Sequence, residues 1–459
     1  DWLAQESGER VAEYAGLIAD HYEKARKKIP AAQMYELAGN RARELSNPQL
    51  ALSHYHKVLE LIADEPHQYA WRVTILQQVA ELLRMQARLV ESGEAYENMR
   101  QIAEVDGNLS AQANALIGLS GVLIDQMQYE SALTAAEKAE KIAWLVGDNL
   151  SLARALLCNS QANHRLSYAT ETREAAQQAL AWSERLEDSG LMVQCLYVLT
   201  ITAVEVGRQV HVAHYLNRLQ ELINRLDSAK VDLLTIGSGF IALGEINNRL
   251  GRYDKVARPS LLAVRIFKKL DRQDLAARAL YNLGKSGRLR GDNEQAMPFY
   301  REALAIAATI GDRYHEMFYR IELGAAHIGL GRHDLAEKEL VKVIRLADNS
   351  TRFEQWEGMS AAYHQLAKAM LGQQRLTAAL AAAQRSFSKA LALGDDRALG
   401  TAWYSLGLVS AKMNPDELPI TVRNKIYMPG DCFSESVRFL RRANGDSTGA
   451  FREQALTMW

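Results

Sequence analysis

The stretch Ala279–Ile306, ALYNLGKSGRLRGDNEQAMPFYREALAI, decides the fold of this chain. Its apolar periodicity predicts two helices joined by a turn at Gly291. Small residues, Gly284 in the first helix and Ala303 in the second, let the two helices approach closely. Larger residues such as Tyr300 then fill the seam between them. The stretch therefore predicts a tightly packed helical hairpin.

The spacing from Leu283 to Ala303 resembles the tetratricopeptide repeat, because five or six positions agree within one frame of about 34 residues. The same frame recurs along the chain. The turns within its units carry glycines at steps of 44, 40 and 40 residues, namely Gly207, Gly251, Gly291 and Gly331. The period is thus near 40. We predict an all-α protein, an α-α superhelix (solenoid) of about ten tetratricopeptide-like helix pairs.

The turns between units carry an aspartate, often directly after a glycine. The clearest examples are Gly147-Asp148, Gly311-Asp312 and Gly394-Asp395. Glycine provides a left-handed helix stop, and aspartate caps the start of the next helix. One unit, around Asn159-Ser160, looks degenerate, and its second helix is expected to be displaced by a few extra residues near Tyr168–Thr172.

Composition excludes several classes of protein. Apolar residues make up 48% and charged residues 24% of the chain, and the formal net charge of −1 argues against a nucleic-acid partner. No apolar run approaches the roughly 18 residues that a membrane span needs, and no signal peptide opens the chain. Cys158, Cys195 and Cys432 are expected to be buried free thiols. We therefore expect a cytoplasmic protein.

Four segments are predicted along the chain. Residues 1–66 form N-terminal helices that join a missing upstream part, and residues 67–412 form the repeat superhelix. Residues 413–430 contain three prolines and the short run Ile420-Thr421-Val422. We interpret this segment as an inserted loop with a small strand. Residues 431–459 are then a truncated C-terminal repeat.

No catalytic or metal site emerges from the pattern of residues. Gly284-Lys285-Ser286 matches the tail of a phosphate-loop motif, but it lies inside a predicted helix, where backbone N–H groups cannot cradle phosphate. His211 and His214 are spaced as two ligands of one metal, yet no cysteine or carboxylate partner is evident nearby. We find no nucleophile–base constellation. The chain is therefore predicted to be no enzyme and to hold no cofactor and no metal.

The tetratricopeptide resemblance implies that the first helix of each pair lines a concave groove. The frame positions that face this groove hold a locally basic and aromatic set of residues: Arg249, Arg278, Tyr281, Lys285, Arg288, His364 and Lys368. Such a set suits a peptide, a carboxylate or a phosphorylated ligand, because charge-assisted hydrogen bonds would orient it. The alternative is that these side chains are only a solvated surface. The Lys/Asn clamp of chaperone-binding repeats is not reproduced, because Ile241, Glu245, Asn282, Phe318 and Glu322 occupy its positions.

The two ends of the chain resemble a more specific family. SGERVAEYAGLIADHYEKA at Ser7–Ala25 is similar to the opening of the C-terminal repeat region of bacterial signal-transduction ATPases with numerous domains (STAND). CFSESVRFL at Cys432–Leu440 is similar to the last repeat of that region. The resemblance implies a sensor that binds an effector or partner and releases an ATPase switch in an upstream domain. Because the sequence begins at Asp1 without methionine, we expect it to be part of a longer protein.

Two main functions remain open at this point. The first is a non-catalytic sensor that binds a protein, a peptide or an anionic small effector in its groove, and biases an attached two-state module. The second is a passive scaffold for protein assembly, with self-association through exposed solenoid ends as a variant. An enzyme hidden in the superhelix is the least favoured interpretation.

Overall fold

A computed structural model describes the chain at residues 11–45, 47–65, 67–226, 232–348, 356, 358–413, 420–422 and 425–444. Within those ranges the chain forms 21 α-helices, one short 3-10 helix and two three-residue strands. The all-α class predicted from the sequence is confirmed, and the architecture is a tetratricopeptide-like repeat solenoid. Backbone contacts divide the chain into two compact units, Asp1–Val198 and Leu199–Trp459.

The first unit contains nine complete helices and the start of a tenth. They are α1 (Val11–Lys24), α2 (Lys28–Glu44), α3 (Pro48–Leu61), α4 (Tyr69–Met85), α5 (Leu89–Val105), α6 (Leu109–Asp125), α7 (Tyr129–Val146), α8 (Asn149–Arg165), α9 (Ala169–Arg185) and α10 (Ser189–Glu205). Each of the nine complete helices packs against its neighbour in sequence, as α6 does against α7. The first helices of successive pairs also touch, because α4 contacts α6 and α6 contacts α8.

The second unit continues the same pattern. Its remaining helices are α11 (Gln209–Arg225), α12 (Leu233–Arg249), α13 (Ala257–Lys269), α14 (Gln273–Leu289), α15 (Asn293–Ile310), α16 (Arg313–Gly329), α17 (His333–Asp348), α18 (Gly358–Gly372), α19 (Leu376–Leu393), α20 (Asp396–Ser410) and α21 (Pro429–Asn444). The 3-10 helix Tyr253–Lys255 precedes α13. Short turns between helices impose antiparallel neighbours.

Left-handed residues mark the turns at a constant interval. In the first unit and up to the start of α11, residues with positive φ recur every twenty positions: Ala87, Gly107, Met127, Gly147, Ser167, Glu187 and Gly207. The spacing returns in the second unit at Gly251, Asp271, Gly291, Gly311 and Gly331. One helix and its turn therefore take twenty residues, and one helix pair takes forty. The predicted period near 40 is confirmed.

The decisive stretch folds as the sequence predicts. It forms most of α14 and α15, with Gly291 in a left-handed conformation (φ 91°) at the turn between them. Tyr300, Ala296 and Ala303 are fully buried. A Cβ atom on Gly284 would lie 2.7 Å from the Tyr300 ring, so only glycine allows this approach.

Aspartate caps begin the helices that follow the predicted turns. The Asp148 carboxylate accepts a hydrogen bond from the backbone N–H of Ser151 at 3.0 Å, and Asp312 accepts one from His315 at 3.1 Å. Both satisfy an N–H group that the first helical turn leaves without a partner. The predicted combination of a glycine stop and an aspartate cap is thus present at α8 and α16.

The unit around Asn159-Ser160 is regular, and the displacement that the sequence suggested is absent. The second helix of this unit, α9, begins at Ala169 directly after its turn. The turn residue with positive φ is Ser167 (φ 63°) instead of a glycine. Because the expected glycine is missing from the sequence, the turn could not be recognised there.

A small antiparallel strand pair lies between α20 and α21. Its strands are β1 (Ile420–Val422) and β2 (Lys425–Tyr427), with Ile420 opposite Tyr427. The sequence predicts a small strand at the first of these positions. The Tyr427 ring lies 4.7 Å from the Trp403 ring of α20, which connects the strand pair to the repeats. Separately, none of the described helices is both long enough and apolar enough to cross a membrane.

Candidate ligand-binding site

The candidate residues lie on the layer of first helices in the second unit. In this layer α12 contacts α14, α14 contacts α16, and α16 contacts α18. Arg249 is at the end of α12, whereas His364 and Lys368 belong to α18. The other four candidates, Arg278, Tyr281, Lys285 and Arg288, all lie on α14. The 40-residue repeat thus places side chains from successive pairs side by side.

Two of the arginines join neighbouring helices through carboxylates. Arg249 Nη1 donates to Glu205 Oε1 at 2.5 Å, and its Nη2 lies 3.5 Å from Glu245 Oε1. Arg278 Nη2 lies 3.8 Å from the other Glu245 oxygen. These contacts connect α10 with α12 and α12 with α14. The positive charges of Arg249 and Arg278 are therefore compensated.

The third arginine forms the most enclosed ion pair of the site. Arg288 Nε donates to Glu322 Oε2 at 2.6 Å, and the two side chains are only 22% and 16% exposed. The Tyr300 hydroxyl donates to the same carboxylate oxygen at 3.4 Å. Burial disfavours the charge of Glu322, but the cations Arg288 and Lys285 outweigh it and lower the pKa of the carboxyl below its usual value. Glu322 is therefore ionised, and it joins α16 to α14.

Lys285 is half-buried without a carboxylate beside it. Its Nζ lies 5.6 Å from the centre of the Tyr281 ring, within the range of a cation–π contact. Among the described residues, no carboxylate oxygen lies within 4.0 Å of this Nζ. Burial lowers the pKa of the ammonium group, and the charges of Arg249 and Arg288 add to this, although Glu322 and Glu245 oppose it. A half-buried cation of this kind would be stabilised by an added anion.

Lys368 repeats this arrangement on α18. It is half-buried, and no described carboxylate lies within 4.0 Å of its Nζ either. Burial lowers the pKa of Lys368, and the positive charge of Arg288 lowers it further.

His364 lies in the packed interior. It is 2% exposed, and its Nδ1 atom contacts the Ser405 hydroxyl of α20. Burial lowers the pKa of the imidazole to about 3, with a further contribution from Lys368. The ring is consequently neutral, and its contact with Ser405 joins α18 to α20.

The pairing of the carboxylates with the arginines is the part of the site that the sequence analysis did not predict. The repeat offered a signal, because Glu322 follows Arg288 by 34 residues and Glu205 precedes Arg249 by 44. Such separations place partners on adjacent first helices. Which of the many charged residues at these separations would pair could not be read from one sequence.

The other candidates for chemistry occupy structural positions. His211 and His214 pack their rings near Tyr215, and no group of three or more metal-ligating side chains occurs in the described part of the chain. Cys195 and Cys432 are buried free thiols, as predicted. Cys158 is also a free thiol but is only half-buried, and its Sγ lies 3.9 Å from the carbonyl oxygen of Ile117.

Comparison with known proteins identifies the fold. No family model and no curated protein sequence matches the chain. Among solved structures, a Rap protein complexed with competence and sporulation factor aligns with a TM-score of 0.54 at 15% identity, over 79% of this chain and 98% of its own. The apo form of the quorum sensor NprR from B. thuringiensis aligns with a TM-score of 0.48 at 12% identity, over 80% and 99%. Yeast Tom70 aligns with a TM-score of 0.42 at 12% identity, over 98% and 95%. At such identities the similarity concerns the fold alone, which is that of tetratricopeptide-like helical repeats.

Proposed function

We propose that this chain is a non-catalytic scaffold that binds a protein or peptide. The ligand's acidic groups would bind to the layer of first helices in the second unit. The observation that carries the proposal is the pair of half-buried lysines, Lys285 and Lys368, without a carboxylate partner among the described residues. Desolvated ammonium groups favour anionic ligands, because the ligand's charge replaces lost hydration.

The neighbouring arginines support this assignment by contrast. Arg249, Arg278 and Arg288 each contact a glutamate of a neighbouring helix, so their positive charges are compensated within the chain. Among the candidate cations, Lys285 and Lys368 are therefore the ones that have no described carboxylate within 4.0 Å. The Tyr281 ring beside Lys285 would add an apolar contact for the ligand. We infer a ligand that combines acidic groups with some apolar surface.

A finer proposal concerns the role of this binding. We infer that the chain is the sensor region of a bacterial signalling ATPase in which ligand binding biases an upstream switch. Support comes from the resemblance of Ser7–Ala25 and Cys432–Leu440 to the ends of that region. The solved Rap protein provides an example of this fold in complex with a factor. In this proposal residues 1–66 link the repeats to the ATPase, and residues 413–430 are an insertion.

A second candidate function is self-association, and exposed apolar residues in the first unit favour it. Trp144 and Leu145 at the end of α7 are 70% and 73% exposed, and Val105 at the equivalent end of α5 is 73% exposed. Clustered exposed apolar side chains often mark interaction surfaces. Sedimentation analysis of the Trp144→Ser/Leu145→Ser variant tests it. A dimer in the unchanged protein that dissociates in the variant would support self-association, and a monomer in both would reject it.

Charge reversal tests the main proposal. The unchanged chain, the Lys285→Glu/Lys368→Glu variant and a control Lys269→Glu/Lys338→Glu variant are immobilised, and bound proteins from a bacterial lysate are quantified by mass spectrometry. Lys269 and Lys338 are exposed lysines on the second helices α13 and α17. We expect ligands that the unchanged chain and the control retain, and the lysine-site variant loses. Equal retention by all three would contradict the proposal.

A further inference from the structure

The turns that follow α5, α7 and α9 form one edge of the first unit. α6 packs against α7, and α8 packs against α9. Because these neighbours are antiparallel, the start of α6 lies beside the end of α7, and the start of α8 lies beside the end of α9. A hydrogen bond from the Ser151 hydroxyl to Asn114 Oδ1 at 3.2 Å joins the first halves of α8 and α6. The three turns are therefore neighbours, and we call residues 104–109, 144–148 and 184–188 the turn edge.

Exposed apolar side chains follow the turn edge. Four consecutive residues are exposed in each turn, at 104–107, 144–147 and 184–187. The first two exposed residues at the end of α7 are Trp144 and Leu145, whereas the equivalent pairs in the second unit are two lysines in α13 and Ala308-Thr309 in α15. The repeat itself therefore does not require apolar residues here. The exposed apolar side chains of the turn edge are Val105, Leu109, Trp144, Leu145, Val146 and Leu186.

The turn edge is also acidic. It contains six carboxylates and one basic side chain, Arg185, which leaves an excess of five negative charges. Arg100 of α5 contacts Glu104 at 2.9 Å and compensates one of them. Asp106 and Glu187 are exposed and form no ion pair with described residues. An unbalanced field of this kind attracts cationic groups. The six carboxylates are Glu104, Asp106, Asp148, Glu184, Glu187 and Asp188.

The combination of apolar side chains with negative charge indicates what covers the turn edge. Exposed aromatic and aliphatic side chains in a row are typical of an interaction surface, and the carboxylates around them require a partner of opposite charge. A second copy that presents the same edge would bring carboxylates against carboxylates. An anionic lipid surface would be repelled in the same way. The charges thus favour a basic partner over both.

We propose that the turn edge of the first unit binds a basic amphipathic segment of a partner protein. Apolar side chains of the segment contact Val105, Trp144 and Leu145, and its lysines or arginines pair with Asp106 and Glu187. The inference goes beyond the proposed function, because it concerns the other unit and a ligand of the opposite charge. α6 contacts α8, and helices in contact lie about 8–10 Å apart, so three successive turns span roughly 20 Å. A helical segment of about 13 residues covers that length.

The test uses fluorescence anisotropy with the full chain and four labelled pools of 18-residue peptides. Three pools carry a mixture of leucine, isoleucine and phenylalanine at helical spacing, and their remaining positions are lysine, glutamine or glutamate. The fourth pool keeps the lysines and has serine at the apolar positions. We expect the lysine pool with apolar residues to bind at least about tenfold more tightly than the glutamine pool and the serine pool, because it alone satisfies both features of the edge. Any binding of the glutamate pool should not depend on the turn edge.

Apolar variants connect the binding to the turn edge. Trp144→Ser/Leu145→Ser should weaken binding of the lysine pool about tenfold or more, because two large apolar contacts are lost. The matched control is Val90→Ser/Tyr168→Ser, since both residues are exposed and lie at the opposite ends of α5 and α9. The control should change the affinity less than about twofold.

Charge variants test the acidic part in the same way. Asp106→Asn/Glu187→Gln should weaken binding of the lysine pool about fivefold and reduce its dependence on salt. The control Glu130→Gln/Glu171→Gln removes two exposed carboxylates at the opposite ends of α7 and α9 and should leave both unchanged. Circular dichroism verifies that every variant keeps its helix content, so that a loss of binding is separate from a loss of fold.

Three results would overturn the inference. The first is equal binding of the lysine pool to the unchanged chain and to both turn-edge variants. The second is a glutamine pool or a serine pool that binds as tightly as the lysine pool, because charge or apolar contact alone would then explain the affinity. The third is a dimer in sedimentation analysis that Trp144→Ser/Leu145→Ser dissociates, with no pool bound in an edge-dependent way, because a second copy then covers the edge. The binding proposed for the second unit is tested by its own lysine variants and does not depend on these outcomes.

Discussion

Replacing Glu322 by glutamine should destabilise α14 and α16 by about 2 kcal/mol. The substitution keeps the shape of the side chain but removes the charge that Arg288 contacts at 2.6 Å. Exposed ion pairs contribute about 0.2–1 kcal/mol, and breaking a buried pair costs about 3–5 kcal/mol. Because the two side chains are 16% and 22% exposed, this pair lies between those limits. The amide oxygen of glutamine can still accept one hydrogen bond, which keeps the cost below the buried limit.

The effect should depend on pH in a defined direction. The pKa of Glu322 is lower in the folded chain than its ordinary value, so ionisation of this carboxyl stabilises the folded state. That stabilisation is complete above the unfolded pKa of about 4.3 and is lost as the pH falls through the folded pKa. The difference between the unchanged protein and Glu322→Gln should therefore be constant near neutral pH and shrink in acid.

Hydrogen exchange measured by mass spectrometry is the appropriate assay, because long repeat arrays do not always unfold in one step. Peptides from α14 and α16 report the local opening free energy. Glu294→Gln is a matched control, since Glu294 contacts Arg332 at an equal 2.6 Å but the two side chains are 62% and 42% exposed. Glu294→Gln should lower the local opening free energy by at most about 0.5 kcal/mol.

A double-mutant cycle with Arg288→Met isolates the pair itself. The coupling between Arg288 and Glu322 should account for most of the loss, and the double variant should be less destabilised than the two single changes added together. The reasoning is refuted if Glu322→Gln and Glu294→Gln have equal effects. It is also refuted if the effect of Glu322→Gln disappears in concentrated salt, because screening removes exposed pairs far more than enclosed ones.

Two further predictions concern the scaffold. Gly147→Ala should lower the free energy of unfolding of the first unit by about 1 kcal/mol, because φ is 70° at this position; a steric clash should not add to this cost, since an added Cβ would contact no described atom within 4 Å. Ala87→Gly relieves the same backbone strain (φ 55°) and should therefore not destabilise the first unit. Urea titrations of the two variants measure both effects. The thiols of Cys195 and Cys432 should resist alkylation in the folded chain at mildly alkaline pH and react once it is unfolded, because burial raises the pKa of each to about 12. Rapid labelling of the folded chain would contradict the buried positions.

The repeat could be predicted because its geometry is written in local residue types. The buried Tyr300 packs opposite Gly284, and the two residues lie in the same helical hairpin. Their separation along the sequence is therefore set by the length of one helix and its turn. The constant twenty-residue step was only partly visible, since Ala87, Met127 and Ser167 take the left-handed conformation without being glycine. At these positions the packing of the flanking helices overrides the local preference for glycine.

The site was less predictable, because its electrostatics depend on pairs of helices. The frame positions singled out Lys285, Arg288 and Lys368 as candidates for the groove. It could not show that Arg288 is compensated by Glu322 and that neither lysine has such a partner. Nor could it show that His364 turns into the interior toward Ser405. Ion pairing and burial depend on several adjacent repeats, whereas the sequence pattern of the repeat describes only one of them.

The arginines and the lysines of the candidate site differ in their contacts. Arg249, Arg278 and Arg288 each contact a glutamate on an adjacent first helix, and the fixed fork of a guanidinium suits such directional contacts. Lys285 and Lys368 make no ion pair with described residues, and a flexible ammonium can follow a ligand that arrives later. Substitution of the arginines should therefore act first on the stability of the helix layer, whereas substitution of the lysines should act first on binding. Because the two groups are interleaved on the same helices, a ligand that neutralises the lysines would also change the field at Arg288 and Glu322. If the proposed function holds, ligand binding and the packing of α14 against α16 should be coupled through the charge of Glu322.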